Sequence, residues 1–385
     1  NIEKETQNLL LQSNSFSTSW GVSNISRTNG QSGYDGSSDA WLISKSASFA
    51  YLYQNNATSG LQTFSIYAKS GSSNWMRLTL LGSSDCHQFF DLQNGVVGTP
   101  SGGSFITSSI EAVGATGWYR CSVTHNQTLA QPRIYPAESD GVYSGTSGSI
   151  YIQDSQINQG LVATDYIETT TAAVEGGITD NVPRLDYTDS SCPPLLLEPQ
   201  RTNIALYNSD INTNWNQFAN LTNSITQDVL SPEGYYNAWS ARRNVNPSGY
   251  TYMTSLPLAV NTTYTASIWL KANDLTKCDS VLFNFHPMSF VNKSTRLYFE
   301  DGSVTGDGVV TPYPNGWYRV SLTSTSNSSI GYFDIGLQPY LNNTSSWGGS
   351  DGDVMFYAYG TQVEAGSYAT SYIPTYGSSV TRNGD

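Results

Sequence analysis

From residue 8 to residue 375 the chain alternates apolar and polar side chains in short runs and nowhere sustains the 3.6-residue period of an amphipathic helix. In Phe64-Ser65-Ile66-Tyr67-Ala68-Lys69 the alternation sets Phe64, Ile66 and Ala68 on one face and Ser65, Tyr67 and Lys69 on the other. That is the pattern of a strand with one side on a core. Ala266-Ser267-Ile268-Trp269-Leu270-Lys271 repeats it 202 residues later. A second strand, Gly117-Trp118-Tyr119-Arg120-Cys121-Ser122-Val123, returns as Gly316-Trp317-Tyr318-Arg319-Val320-Ser321-Leu322. Here Trp, Arg and Ser point away from the side that carries Tyr, Cys or Val, and Val or Leu.

These pairs belong to a longer ordered series. Asn8-Leu9-Leu10 to Trp20 is matched by Asn203-Ile204-Ala205 to Trp215, and Ala40-Trp41 by Ala238-Trp239. Tyr51-Leu52-Tyr53 is matched by Tyr250-Thr251-Tyr252, and the closing run Ile150 to Ile167 by Phe356 to Ile373. Landmarks that keep their order with nearly constant spacing predict an internal duplication. The expected fold is all-β, two tandem antiparallel β-sandwich modules of jelly-roll, carbohydrate-binding-module-like type. The boundaries read as a lead-in at 1–7, a first module at 8–174, a Pro-rich connector at 175–202, a second module at 203–377 and a tail at 378–385. The chain opens on Asn rather than Met, so the lead-in reads as continuing from something upstream.

Between the copies runs Asp180 to Asn203, DNVPRLDYTDSSCPPLLLEPQRTN. Its prolines, Pro183, Pro193, Pro194 and Pro199, fix φ and remove donors, so no helix or central strand crosses it, and an extended path is expected. The leucines Leu195 to Leu197 are expected to pack against a neighbour, since each buried Leu contributes about 1.5–3 kcal/mol. The elements Pro183-Arg184-Leu185-Asp186-Tyr187, Cys192-Pro193 and Leu195 to Asn203 resemble a connector of bacteriophage tail-fibre and related virion proteins, where it joins domains similar to carbohydrate-binding modules. The resemblance is close over this stretch and loose in the repeats. It implies a virion location, contacts with other virion subunits, a host surface polysaccharide as ligand, and a homotrimer. Two alternatives stay open: a capsid decoration or head-fibre protein with a purely structural role, and extracellular accessory modules of a polysaccharide-degrading enzyme.

Composition narrows the chemistry. Charged residues make up 12% of the chain, aromatic residues another 12%, and the net charge is −13 with 17 Lys and Arg, so no basic run exists to track a phosphate backbone. Nucleic acid is not an expected partner. No stretch near 18 apolar residues is present, so no helical membrane span is expected. The three histidines lie apart, without GxSxG or HExxH, and no repeated or apolar-flanked acid pair stands out. The expectation is a non-enzymatic protein.

Binding residues are sought on the polar faces of the duplicated strands. In the first copy Tyr67, Lys69, Trp75, Arg77, Trp118 and Arg120 are candidates, and in the second Trp269, Lys271, Trp317 and Arg319. A flat ring beside a cationic donor suits a sugar, which carries C–H patches on its faces and hydroxyls at its rim. A competing reading is that each Arg only lies on a Trp to cover the sheet. No cofactor is expected, apart from a structural calcium for which Asp154 or Asp351-Gly352-Asp353 supplies oxygens.

Overall fold

The structure is a computed structural model, and it describes residues 6–176, 184–185, 195–206, 215–218, 221–225, 228–244, 248–254, 256–286, 289–327 and 334–384. It divides into a unit of Glu5–Gly177 and a unit that comprises Ile178–Asp385 with Asn1–Lys4.

In the first module, one six-stranded sheet runs in the order Phe105–Ala112, Trp118–Asn126, Leu61–Ser70, Ser149–Gln159, Ala40–Lys45, Ile25–Gln31. The other runs Gly21–Ser23, Tyr51–Tyr53, Leu129–Ala137, Trp75–Gly82, Cys86–Asp91, Val96–Ser101. All neighbours are antiparallel. Leave out the three-residue Gly21–Ser23 and the outer Ile25–Gln31, Val96–Ser101 and Phe105–Ala112. The eight strands that remain are then ordered first-eighth-third-sixth in one sheet and second-seventh-fourth-fifth in the other, which defines a jelly roll. Between the sheets lies one core. It takes Phe64, Ile66, Cys121, Val123 and Ile152 from the first sheet and Leu52, Met76, Leu78, Phe90 and Ile134 from the second, and none of these is exposed.

The second module repeats this order. Its sheets run Leu221–Ile225, Trp239–Arg243, Val354–Ala365, Thr263–Ala272, Trp317–Thr325, Val309–Tyr313 and Trp215–Phe218, Tyr250–Met253, Ile335–Tyr340, Ser280–Phe285, Lys293–Tyr298, Val304–Gly306. Ile268, Val320 and Leu322 occupy its core where Ile66, Cys121 and Val123 occupy the first. Both modules close in the same way. Thr6–Asn8 pairs with Val174–Gly176, and Arg201–Asn203 pairs with Val380–Arg382. The segments expected to be lead-in, connector and tail therefore carry module-closing strands. These are only three residues long, too short for alternation to reveal them.

A buried asparagine pins each closure. Asn8 Nδ2 donates to Ser155 O and Ile167 O, while its Oδ1 accepts from Leu10 N and Ile157 N. Asn203 makes the equivalent four bonds, to Thr361 O, Ile373 O, Ala205 N and Val363 N. Each satisfies four backbone groups that would otherwise be buried without partners.

Most of the connector lies outside the described residues. Arg184–Leu185 pairs with Leu195–Leu196 as a two-residue ladder. The expectation of buried leucines is not met: Leu195 and Leu197 are 52% and 68% exposed, and Leu196 is half-buried. The described partner is a two-residue strand, Arg184–Leu185, too small to cover a run of three leucines.

Candidate functional site

The structure places the candidate residues differently from the alternation argument. Leu61–Ser70 and Trp118–Asn126 lie in one sheet and Trp75–Gly82 in the other, so Trp75 and Arg77 occupy the opposite face of the sandwich from Tyr67, Lys69, Trp118 and Arg120. They do not form one cluster.

The outer face that carries Trp118 and Trp269 is covered. After the last long strand, each module's chain folds back across that face. In the first module Arg120 donates to Thr164 O in the returning segment and to Ser65 Oγ, and Gln156 Nε2 donates to Thr164 O at 3.1 Å. In the second, Arg319 donates to Thr370 O at 2.7 Å and to Ser267 Oγ at 3.0 Å, while Gln362 takes the role of Gln156. Trp118, Trp269 and Trp317 are buried as well. Tyr34 stacks on Tyr67 with centroids 3.8 Å apart and planes 10° from parallel, occupying one ring face. Trp269 meets Tyr313, Tyr359 and Tyr372 and lies under the Arg319 guanidinium at 4.5 Å. Trp317 Nε1 donates to Leu230 O. Lys69 reaches Thr116 O at its edge, and Lys271 is half-buried. The aromatic–cation pairs in this sheet brace the returning segment, and no open sugar platform is formed by them. A cleft of about 240 Å³ does lie beside Arg319, lined also by Thr311, Thr323 and Tyr368, but the guanidinium already serves Thr370 and Ser267.

The outer face of the other sheet is built differently. In Tyr51-Leu52-Tyr53, Leu52 enters the core, which turns both tyrosines outward with centroids 5.7 Å apart and planes at 51°. In Tyr250-Thr251-Tyr252 the pair recurs at 5.7 Å and 47°. Register then identifies equivalent neighbours. Tyr53 faces Arg133, Arg133 faces Thr79 and Thr79 faces His87. In the second module Tyr252 faces Gly336, Gly336 faces Asn284 and Asn284 faces Ser294.

The exchange of Arg133 for Gly336 decides the shape of the two faces. In the first module the Arg133 guanidinium lies 4.5 Å over the Tyr51 ring and fills the space beside the tyrosines. In the second nothing projects from Gly336, and a groove of about 220 Å³ opens between Tyr250 and Tyr252 on one side and Leu282, Asn284 and His286 on the other, with Gln338 at its end. Asn284, Gln338 and His286 bring donors and acceptors, and burial lowers the pKa of His286. Among the described residues no carboxylate or Lys/Arg side chain lines it.

Residues expected to supply a calcium site are otherwise engaged. Asp154 accepts from Tyr34 Oη at 2.8 Å, Asp351 pairs with Arg243, and Asp353 pairs with Lys277 and accepts from Ser350 N. Among the described residues no three His, Cys, Asp or Glu side chains converge as a metal site. No helix in the described residues is long and apolar enough to cross a membrane.

The tyrosine pairs were visible in the sequence as a repeated landmark, but nothing there marked them as a site. The available signal was a Tyr-x-Tyr whose middle residue alone belongs to the core, present in both copies.

The fold and this face define a tandem pair of jelly-roll modules. No family profile matches the chain, and no curated protein matches it. Among solved structures, the N-terminal CBM22-1–CBM22-2 tandem domain of Paenibacillus barcinonensis Xyn10C aligns over 95% of this chain and 98% of that one, at 9% identity and a TM-score of 0.29.

Proposed function

We propose that this chain is a non-catalytic component of a bacteriophage particle, in a tail fibre or receptor-binding structure, and that its second module binds a surface saccharide of the host. The observation that carries saccharide binding is the Tyr250/Tyr252 groove over Gly336, a shallow cleft with two aromatic rings on one wall and amide and imidazole side chains on the other. Aromatic faces take the C–H patches of a pyranose, and Asn284, Gln338 and His286 take its hydroxyls. The lack of a charged lining group favours a neutral sugar. The virion assignment rests on the resemblance of the Pro183 to Asn203 connector, which also motivates other virion subunits and a trimer as partners.

Stacking and hydrogen bonding in one shallow groove correspond to a Kd of roughly 1 μM to 1 mM, which display of several copies on a fibre raises by avidity. The test is a glycan array probed with the intact chain, Tyr252→Ala and Gly336→Arg. Tyr252→Ala is expected to weaken binding about tenfold, the equivalent of about 1.4 kcal/mol. Gly336→Arg copies the first module and is expected to abolish binding. Unchanged binding in both folded variants would place the site elsewhere.

A further inference from the structure

On the first module's equivalent face, Arg77 stands out because its guanidinium lies among aromatic rings with no hydrogen bond or ion pair among the described residues, its Nε enclosed and its two Nη atoms at the edge of the surface. Cross-strand pairing sets it between Tyr135 and Phe89, and its guanidinium carbon lies 3.9 Å from the Tyr143 ring centroid, 5.2 Å from that of Tyr135 and 5.6 Å from that of Phe89. The residue is only 8% exposed. No carboxylate among the described residues comes within ion-pair range of it, and its Nε is enclosed without an acceptor. Beside it, the Thr79 hydroxyl is also buried without a partner. Cation–π contact compensates part of the guanidinium's lost hydration, yet rings accept none of its five N–H bonds in the plane of the fork. A buried cation without an acceptor is costly to a fold, and buried polar groups are nearly always hydrogen-bonded.

The fold itself does not demand this arginine. By register the same position in the second module is Leu282, which faces Gln338 and Arg296 as Arg77 faces Tyr135 and Phe89. On the equivalent sheet of the second module Arg296 lies over Tyr298 and Tyr340 and is answered: it contacts the Ser280 hydroxyl at 2.7 and 2.9 Å and Asp279 at 3.8 Å. Arg77 has the rings of such a brace and none of its acceptors.

We infer that Arg77 is the centre of an anion subsite on the first module's outer face and that its ligand is the carboxylate of an acidic saccharide. A guanidinium fork meets a carboxylate through two parallel N–H···O bonds. Thr79 and Arg133 flank the point where such a group would arrive, and the partly exposed Tyr53 beside Arg133 offers an edge to the sugar that carries it, while Tyr135 is buried beneath Arg77. The site lies on a different module from the groove and carries a cation where the groove carries none among the described residues.

The experiment is a calorimetric titration of the intact chain with trigalacturonate, galactotriose and sodium sulfate. Trigalacturonate is expected to bind at least tenfold more tightly than galactotriose, with sulfate a poor competitor. Arg77→Leu, which copies the second module, is expected to erase that preference while keeping or raising the Tm, because it removes an unpaired buried charge. Arg77→Lys, which keeps the charge and loses the fork, is expected to retain only part of the preference. Equal affinity for the two trisaccharides, a preference that survives Arg77→Leu, a lowered Tm in Arg77→Leu, or displacement by sulfate at the same concentration would each overturn the inference. Gly336→Arg leaves Arg77 in place, so loss of the groove and loss of the anion subsite are read separately.

Discussion

At the scale of single residues, the modules differ most where buried polar groups are left without partners. His125 is fully buried with neither ring nitrogen bonded, and burial pushes its pKa down to about 4. The equivalent residue in the second copy is Ser324. Because the folded value lies below the unfolded one, the unfolded chain takes the proton first. Stability from the neutral ring is therefore fully present above about pH 6.5 and is lost as the pH falls toward 4, by up to about 3 kcal/mol. Chemical denaturation between pH 7 and pH 4 should show this loss in the first module, and His125→Phe should remove it. Parallel pH profiles for the two proteins would contradict the assignment. Asn8 and Asn203 act in the opposite sense, since each satisfies four buried backbone groups. Asn203→Ala is expected to cost on the order of 3–5 kcal/mol in its own module, measured by urea unfolding, and Asn8→Ala the same in the other.

At the scale of elements, the last long strand of each module is bent by a bulge at one position. The register slips between Gln153 and Gln156 in the first module and between Tyr359 and Gln362 in the second. Asp154 and Gly360 take left-handed backbone there, with φ of 50° and 62°. A Cβ at Gly360 would stand 2.9 Å from the Trp269 ring, so Gly360→Ala combines strain with a clash and is expected to destabilise by about 1–3 kcal/mol in the same urea assay. The alternation of Ile66, Cys121, Ile268 and Val320 was enough to read strands, their faces and the duplication from the sequence. It was not enough to read what lies over an outer face. Trp118 and Trp269 alternate outward as expected, and residues distant in sequence bury them, Tyr34 beside Trp118 and Tyr313, Tyr359 and Tyr372 around Trp269. The same limit hid the groove, because an open face depends on which residue register places beside Tyr252, and register is a tertiary property.

At the scale of the whole molecule, one topology is used twice, with a cation-filled face in the first copy and an open one in the second. The most direct test of the account is calorimetric titration of the intact chain and of Gly336→Arg with the neutral oligosaccharide that an array selects. The account predicts one site per chain for the intact protein and no heat of binding for Gly336→Arg, whose Cβ would meet Asn284 Oδ1 at 2.8 Å and displace that side chain, so a cooperative unfolding transition of the variant is required alongside. Two equivalent sites per chain, or undiminished binding by a folded Gly336→Arg, would contradict it.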